Sequence, residues 1–207
     1  QVDSLSMPAM TYLPLIAPLE SEFLNVRVAI ADLADWTGQE RRDSYEATLF
    51  ELFYRELPHA ILDDDIGAEN VDILSNAIFL HQIAQEPNSA WWDNVDTPEV
   101  ETRDDILLQT VEFAVVELNE ISEEDEPEES YWALYHHVTF ASQPLGESGI
   151  NVIEKLVNRG PYPVDGGPGI VNANGWSADE FAVVNWHPSM RMIIDMADYD
   201  ASVGVIP

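Results

Sequence analysis

Apolar residues recur every three or four positions along roughly the first 124 residues, and every second position in several later stretches. Ser44 is placed to cap a helix whose apolar stripe runs through Ala47, Leu49, Phe50, Leu52, Phe53, Leu57 and Ile61. Pro58 lies inside that run and removes a backbone donor, so a kink, or a stop and restart, is predicted there. The same spacing predicts a helix over Glu69 to Gln85, through Ile73, Leu74, Ala77, Ile78, Leu80 and Ile83. A third strong helix is predicted over Thr102 to Ile121. Thr102 and Asp105 resemble a capping box there, with Asp in place of the usual Glu or Gln. Weaker patterns predict helices over Pro8 to Leu19 and Glu22 to Leu33, with Trp91, Trp92 and Asp96-Thr97-Pro98-Glu99 in a loop.

Period two predicts strands over Trp132 to Phe140, Phe181 to Trp186, Met190 to Met196 and Val203 to Ile206. Glycine and proline are frequent between Gly146 and Gly175, and little regular structure is expected there. The acidic block around Pro127 reads as a solvated connection. The fold class is therefore α+β, with a helical segment over 1–125 and a strand-rich segment over 126–207. Ile193-Ile194 with their flanking methionines, and Val203 to Ile206, have no polar face. Strands of that kind need cover on both faces and partners on both edges. They are expected to complete a sheet supplied by another chain or by a further part of this one.

Charge narrows the choice of partner. The 207 residues carry 39 acidic and 8 basic side chains, a formal net charge of −31. Such a polyanion has no electrostatic route to phosphate backbones and is repelled by anionic leaflets, which argues against nucleic-acid and membrane partners. No apolar run approaches the ~18 residues of a spanning helix. The 46% hydrophobic content and six tryptophans nevertheless demand a packed core. Cysteine is absent, which removes disulfides, thiolate metal sites and cysteine nucleophiles together. Lys155 is the single lysine beside seven arginines, a balance that suits adaptation to salt or heat as readily as a binding role.

Spacing alone yields no complete catalytic apparatus. His136 and His137 are adjacent, so in a strand they point to opposite faces and cannot share one ion. Asp63-Asp64-Asp65 with Gly67 misses the spacing of a calcium loop and reads as a solvated helix end. Asp165-Gly166-Gly167-Pro168-Gly169 lacks a lysine and reads as a turn, not a phosphate cradle. There is no G-x-S-x-G around any serine.

Four ordered stretches carry a family resemblance. Asn158-Arg159-Gly160-Pro161-Tyr162-Pro163-Val164 followed by Gly166-Gly167 and Val171-Asn172-Ala173 resembles the "NRGPYPVGGDGxTVNA" stretch of the penicillin acylase (penicillin amidase) family. Pro188 to Ser202 is similar to that family's "GPSxRMIVDLxDWDxS" strand, and Trp132 to Phe140 to its "WGxLHxVTF". Trp91-Trp92-Asp93 through Glu99 matches a family loop, and Ala34 to Gly38 stands where "WDG" is usual. Ala133 and Leu134 replace a glycine and a basic residue, His187 replaces a glycine, and Pro168 interrupts the glycine turn.

The resemblance implies a late part of the large (beta) subunit of an N-terminal-nucleophile hydrolase with a four-layer αββα core. Such enzymes cut the amide of N-acylated substrates, β-lactam side chains or acyl-homoserine lactones, through an acyl-enzyme. They need no cofactor, and neither a cofactor nor a metal is expected here. The resemblance also implies that the nucleophile, its base and the oxyanion donors lie outside these residues. The expected partners are then the upstream large-subunit segment, the small subunit and a small N-acyl substrate, and a periplasmic or extracellular location is favoured. Asp195 matches a carboxylate that in relatives supports a catalytic histidine, so it is the candidate supporting residue. Arg191, four positions earlier and so on the same face of the strand, is its expected ion-pair partner. Asn172 is expected to satisfy backbone groups in the glycine turn, and His136 to be a hydrogen-bonded structural histidine near the site. Substrate-binding residues are not assigned. The alternative is a free-standing acidic interaction module that keeps the ancestry without the chemistry.

Overall fold

In the computed structural model, which describes residues 3–74, 76–122, 131–177, 181–188 and 190–205 without the side chains of 72–74, 191 and 205, the first half is helical. α1 (Met7–Ile16) and α2 (Leu24–Asp35) precede the long α3 (Tyr45–Ile66). α4 (Ala68–Leu74), α5 (Ala77–Ala84) and α6 (Arg103–Ile121) follow. Ser44 starts α3 by accepting the Ala47 N–H on its hydroxyl at 3.1 Å. Leu49, Phe50, Leu52, Phe53, Leu57 and Ile61 are all buried, each contributing roughly 1.5–3 kcal/mol. They share one core with Leu107, Val111, Ala114 and Leu118 of α6. α6 begins with the predicted capping box. The Asp105 N–H donates to the Thr102 hydroxyl, and the Thr102 N–H donates to the Asp105 carboxylate at 2.9 Å.

Two helix expectations are corrected. The helix does not stop and restart at Pro58, since α3 runs through it as one 22-residue helix. Leu57 and Ile61 on either side are buried in the core, and tertiary packing outweighs the single lost backbone bond. The helix expected over Glu69 to Gln85 divides into α4 and α5. Asn76 Oδ1 accepts the N–H groups of Ile78 and Phe79, both at 3.0 Å, and that cap starts a new helix.

The second half holds α7 (Trp132–Tyr135), β1 (His137–Phe140), α8 (Asn151–Val157), β2 (Arg159–Pro163), β3 (Arg191–Ile193) and β4 (Val203–Val205). β1 and β2 pair antiparallel, with His137 opposite Pro163 and Val138 opposite Tyr162. β3 and β4 form a second antiparallel pair, with Met192 opposite Gly204 and Ile193 opposite Val203. The architecture is α+β with a helical N-terminal half, as the patterning predicts. The expected boundary at 125/126 falls among residues 123–130, outside the described residues, as does most of the acidic block.

Two strand expectations and one loop expectation are corrected. Trp132 to Tyr135 is a helical turn, because Trp132 and Ala133 donate their N–H groups to the carbonyls of Ser44 and Arg42 ahead of α3, at 3.0 and 2.8 Å. The 181–186 segment is not a strand. Ala182 takes φ +63° and only Val184 and Trp186 make isolated bridges, to Val138 and Gly175. The 146–175 stretch contains α8, where residues 150–159 hold neither glycine nor proline, and β2, which pairs with β1 despite Gly160, Pro161 and Pro163.

The two halves meet at Trp132, which is fully buried with Ala47 of α3 and Ala182. The β3–β4 hairpin behaves differently. Met190, Met192, Ile193, Ile194, Met196, Tyr199 and Val203 are all more than half exposed. These strands find no cover among the described residues.

Candidate functional site

The glycine turn 165–175 is fastened to the helical half from several directions. The Gly166 N–H donates to the Glu40 carbonyl at 2.7 Å, and the Asn172 N–H to that of Asp3 at 2.9 Å. The Trp132 indole donates to the Gly166 carbonyl at 2.9 Å, and the Arg42 N–H to Asp165 Oδ1 at 2.9 Å. Asn172 and Asn174 both donate side-chain N–H groups to the Asp165 carbonyl, at 2.9 and 2.8 Å. Asn172 also donates to the Ser4 hydroxyl at 3.2 Å.

Two cavities draw on this turn. The first, about 400 Å³, is polar on one wall, with Arg42, Asp165, Asn172, Asn174 and His187, and apolar at Val138 and Phe140. The Arg42 guanidinium lies 3.8 Å from Asp165, so its charge is partly spent within the wall. The second, about 660 Å³, lies between α1, α3, α5 and the turn, with Tyr12, Glu51, Tyr54, Arg55, His81 and Trp176 among its lining. Thr11 Oγ1 and His81 Nδ1 are 3.1 Å apart at this second cavity, but the hydroxyl donates to the Met7 carbonyl. His81 is therefore the donor, and Thr11 is not an activated nucleophile.

Between turn and helices lies a pair of buried carboxyl groups. Glu40, on the loop before α3, is 1% exposed and Glu51 of α3 is 5% exposed. Their side chains are hydrogen-bonded to each other, and Ser6 bonds Glu40 as well. Two carboxylates cannot share such a bond, so one carboxyl keeps its proton. Burial pushes Glu40 up to about 7. Burial, with the neighbouring Glu40 charge, pushes Glu51 well above the ordinary range. Glu40 Oε2 has no hydrogen-bond partner among the described residues and packs against Gly167, where a Cβ would collide with it.

His136 is the other buried titratable group at this joint. Its ring stacks on Trp132 with centroids 4.6 Å apart, and the edge of Trp176 approaches at 5.5 Å. Nδ1 lies 2.9 Å from the Ala182 carbonyl, which can only accept, so Nδ1 carries the proton. Nε2 is left a buried lone pair with no partner among the described residues. Burial lowers its pKa to about 4, against the opposing Ala182 bond, so the ring is neutral at pH 7.

Of the residues singled out in the sequence, the structure brings Asn172 and His136 to this joint. Asp195 lies elsewhere, exposed at the end of β3 and lining neither cavity. Its Oδ1 accepts the N–H groups of Ala197 and Asp198 at 2.8 and 3.1 Å, an Asx-type turn, and its own N–H donates to Ser202 Oγ at 3.0 Å. The Arg191 side chain lies outside the described residues. Glu40 and Glu51 were not singled out. Their signal was Glu51 itself, an acid set between Phe50 and Leu52 in the apolar run of α3.

Among known proteins, residues 1–207 match the family model described as penicillin amidase. An acyl-homoserine lactone acylase QuiP of Pseudomonas aeruginosa is 27% identical over 207 aligned residues, covering 90% of this chain and 24% of that protein. Proteins of the same description from Pseudomonas syringae pv. syringae and pv. tomato are 25% and 24% identical, again over 90% of this chain and 23% of theirs. The chain spans about a quarter of the length of these relatives.

Proposed function

The chain belongs to the penicillin amidase family, and from that premise we propose that it forms part of an amidohydrolase that cleaves N-acylated substrates, with acyl-homoserine lactones the favoured class. The observation that carries this reading is the family match along all 207 residues, joined by relatives whose names describe acyl-homoserine lactone acylases. In the reaction, an N-terminal nucleophile attacks the amide carbonyl, the amine leaves with a proton, and water then releases the acyl group from the acyl-enzyme. The nucleophile and its oxyanion donors lie in segments outside these residues. The described part contributes framework and one wall of the assembly. Its β3–β4 hairpin, apolar and uncovered, supplies strands to the core sheet of an αββα sandwich. Asp195, exposed at the end of that hairpin, is a positioning residue for a histidine contributed by the rest of the enzyme.

The test is an assay of the complete gene product on N-acyl-homoserine lactones and phenylacetyl amides, reading release of the free amine. Hydrolysis by the complete enzyme and none by this chain alone is expected. A correctly folded complete product that hydrolyses no N-acyl amide sinks the reading. In the same assay, Asp195→Asn lowers kcat by roughly 10²-fold at unchanged melting temperature if the carboxylate positions a base. Unchanged kcat removes Asp195 from that role.

A further inference from the structure

Glu40 binds three separate pieces of chain together. Its backbone N–H donates to the Ser4 carbonyl at 2.9 Å, and its carbonyl takes the Gly166 N–H at 2.7 Å. Its side chain bonds Ser6 and Glu51, and Gly167 packs against its free oxygen. Neither carboxyl group has a cation within a salt bridge among the described residues; Arg42 is turned to Asp165 and Arg55 to Glu117. A buried carboxyl pair without a countercharge can hold one negative charge by sharing a proton, and a second charge has nothing to meet it.

We propose that Glu40 and Glu51 form a proton-sharing latch. With one proton held between them, the Ser6 segment, α3 and the Gly166–Gly167 turn are tied together. When the proton is lost to solvent, two carboxylates face each other and the turn is released. Because Glu51 also lines the larger cavity, release opens that cavity's wall from below. Titratable and charged groups on the elements packed around the pair include Tyr54 and Arg55 on α3, Tyr12 on α1 and His81 on α5, with Asp3, Arg41 and Arg42 on the flanking segments and Asp165 and His136 at the joint. Tyr12 and Tyr54 are held protonated by their burial, Tyr54 up to about 12, and His136 is already neutral in the range where the pair ionises. None of them supplies the missing positive charge.

The experiment is hydrogen–deuterium exchange of the complete enzyme across pH 5–9, following the peptide over residues 164–175 and correcting for the intrinsic rate. In the wild type, protection is expected to fall by about tenfold or more from pH 6 to pH 9, since each pH unit of resisted ionisation changes the closed-to-open ratio by up to about tenfold. Glu51→Gln and Glu40→Gln each leave one buried carboxyl that still titrates, so each is expected to show a smaller fall than the wild type, and the double Glu40→Gln, Glu51→Gln variant, in which neither side chain can ionise, stays flat. A flat corrected profile in the wild type overturns the latch whichever variants fold. So does a wild-type slope that survives in full in the double glutamine variant, or one abolished by Tyr54→Phe instead.

Discussion

Gly166 has φ +96°, and a Cβ built on it would run into the backbone carbonyl of Asn172. Its N–H and carbonyl are both engaged, by Glu40 and by the Trp132 indole. Gly166→Ala is therefore expected to destabilise the protein by about 3 kcal/mol, part from left-handed backbone strain and part from the collision, read as a lowered denaturation midpoint at unchanged slope. At this scale the sequence was only partly legible. The turn at Asp165–Gly169 could be read from residue type, because glycine carries its backbone freedom with it. The carboxyl pair could not. Glu51 breaks an apolar run, yet nothing local says that the acid it meets is Glu40, which reaches it from a loop beyond the Ser44 cap.

Helices were legible where an amphipathic stripe coincided with a cap, as at Ser44 and Thr102. They were misjudged where distant packing decided, as at Pro58, or where a small side chain made an unforeseen cap, as at Asn76. Strands were less legible, since period two at Trp132 to Phe140 is equally served by one helical turn followed by a short strand. The β3–β4 hairpin carries its own expectation. Seven large apolar side chains stand more than half exposed there, so the isolated chain should bind an exposed-hydrophobe dye strongly. Ile193→Asp should reduce that binding in the isolated chain. If the hairpin completes a sheet as proposed, the same change in the complete gene product should destabilise by roughly 1–3 kcal/mol, because a charge then enters covered strands. Equal melting of wild-type and variant complete enzymes would show that the hairpin stays at the surface.

Across the whole molecule, three electrostatic effects act at once. His136 has a lowered folded pKa, so the unfolded chain binds its proton first and stability is lost as pH falls from about 6.5 towards 4, by up to roughly 3 kcal/mol. The carboxyl pair has raised folded values, so its stability is full below about 4.3 and is lost as pH rises through about 7 and beyond. The net charge of −31 adds a self-repulsion that grows as carboxyl groups ionise and shrinks as salt screens it. Melting curves of the complete protein over pH 4–9, at about 0.01 M and about 1 M sodium chloride, should therefore show a maximum in mildly acidic solution. Salt should raise the alkaline limb most, while a slope due to the buried pair persists at high salt and is removed when Glu40 and Glu51 are both changed to Gln. A salt-saturated profile identical in wild type and variant would assign the alkaline loss to surface charge alone.

The joint that Glu40 makes also sets an order of events during synthesis. The Asn172 amide reaches Ser4 across 168 positions of chain, and Gly166 reaches Glu40 across more than a hundred. Helices α1 to α6 close mostly through nearer contacts and can gather while the ribosome is still adding the later residues. Until about residue 174 has emerged, Glu51 sits at one end of a nascent helical bundle with the glycine turn still missing from its wall. Not yet closed over, that carboxyl lacks the burial that raises it and stays ionised at neutral pH, and it takes up the shared proton only as the turn seals the joint.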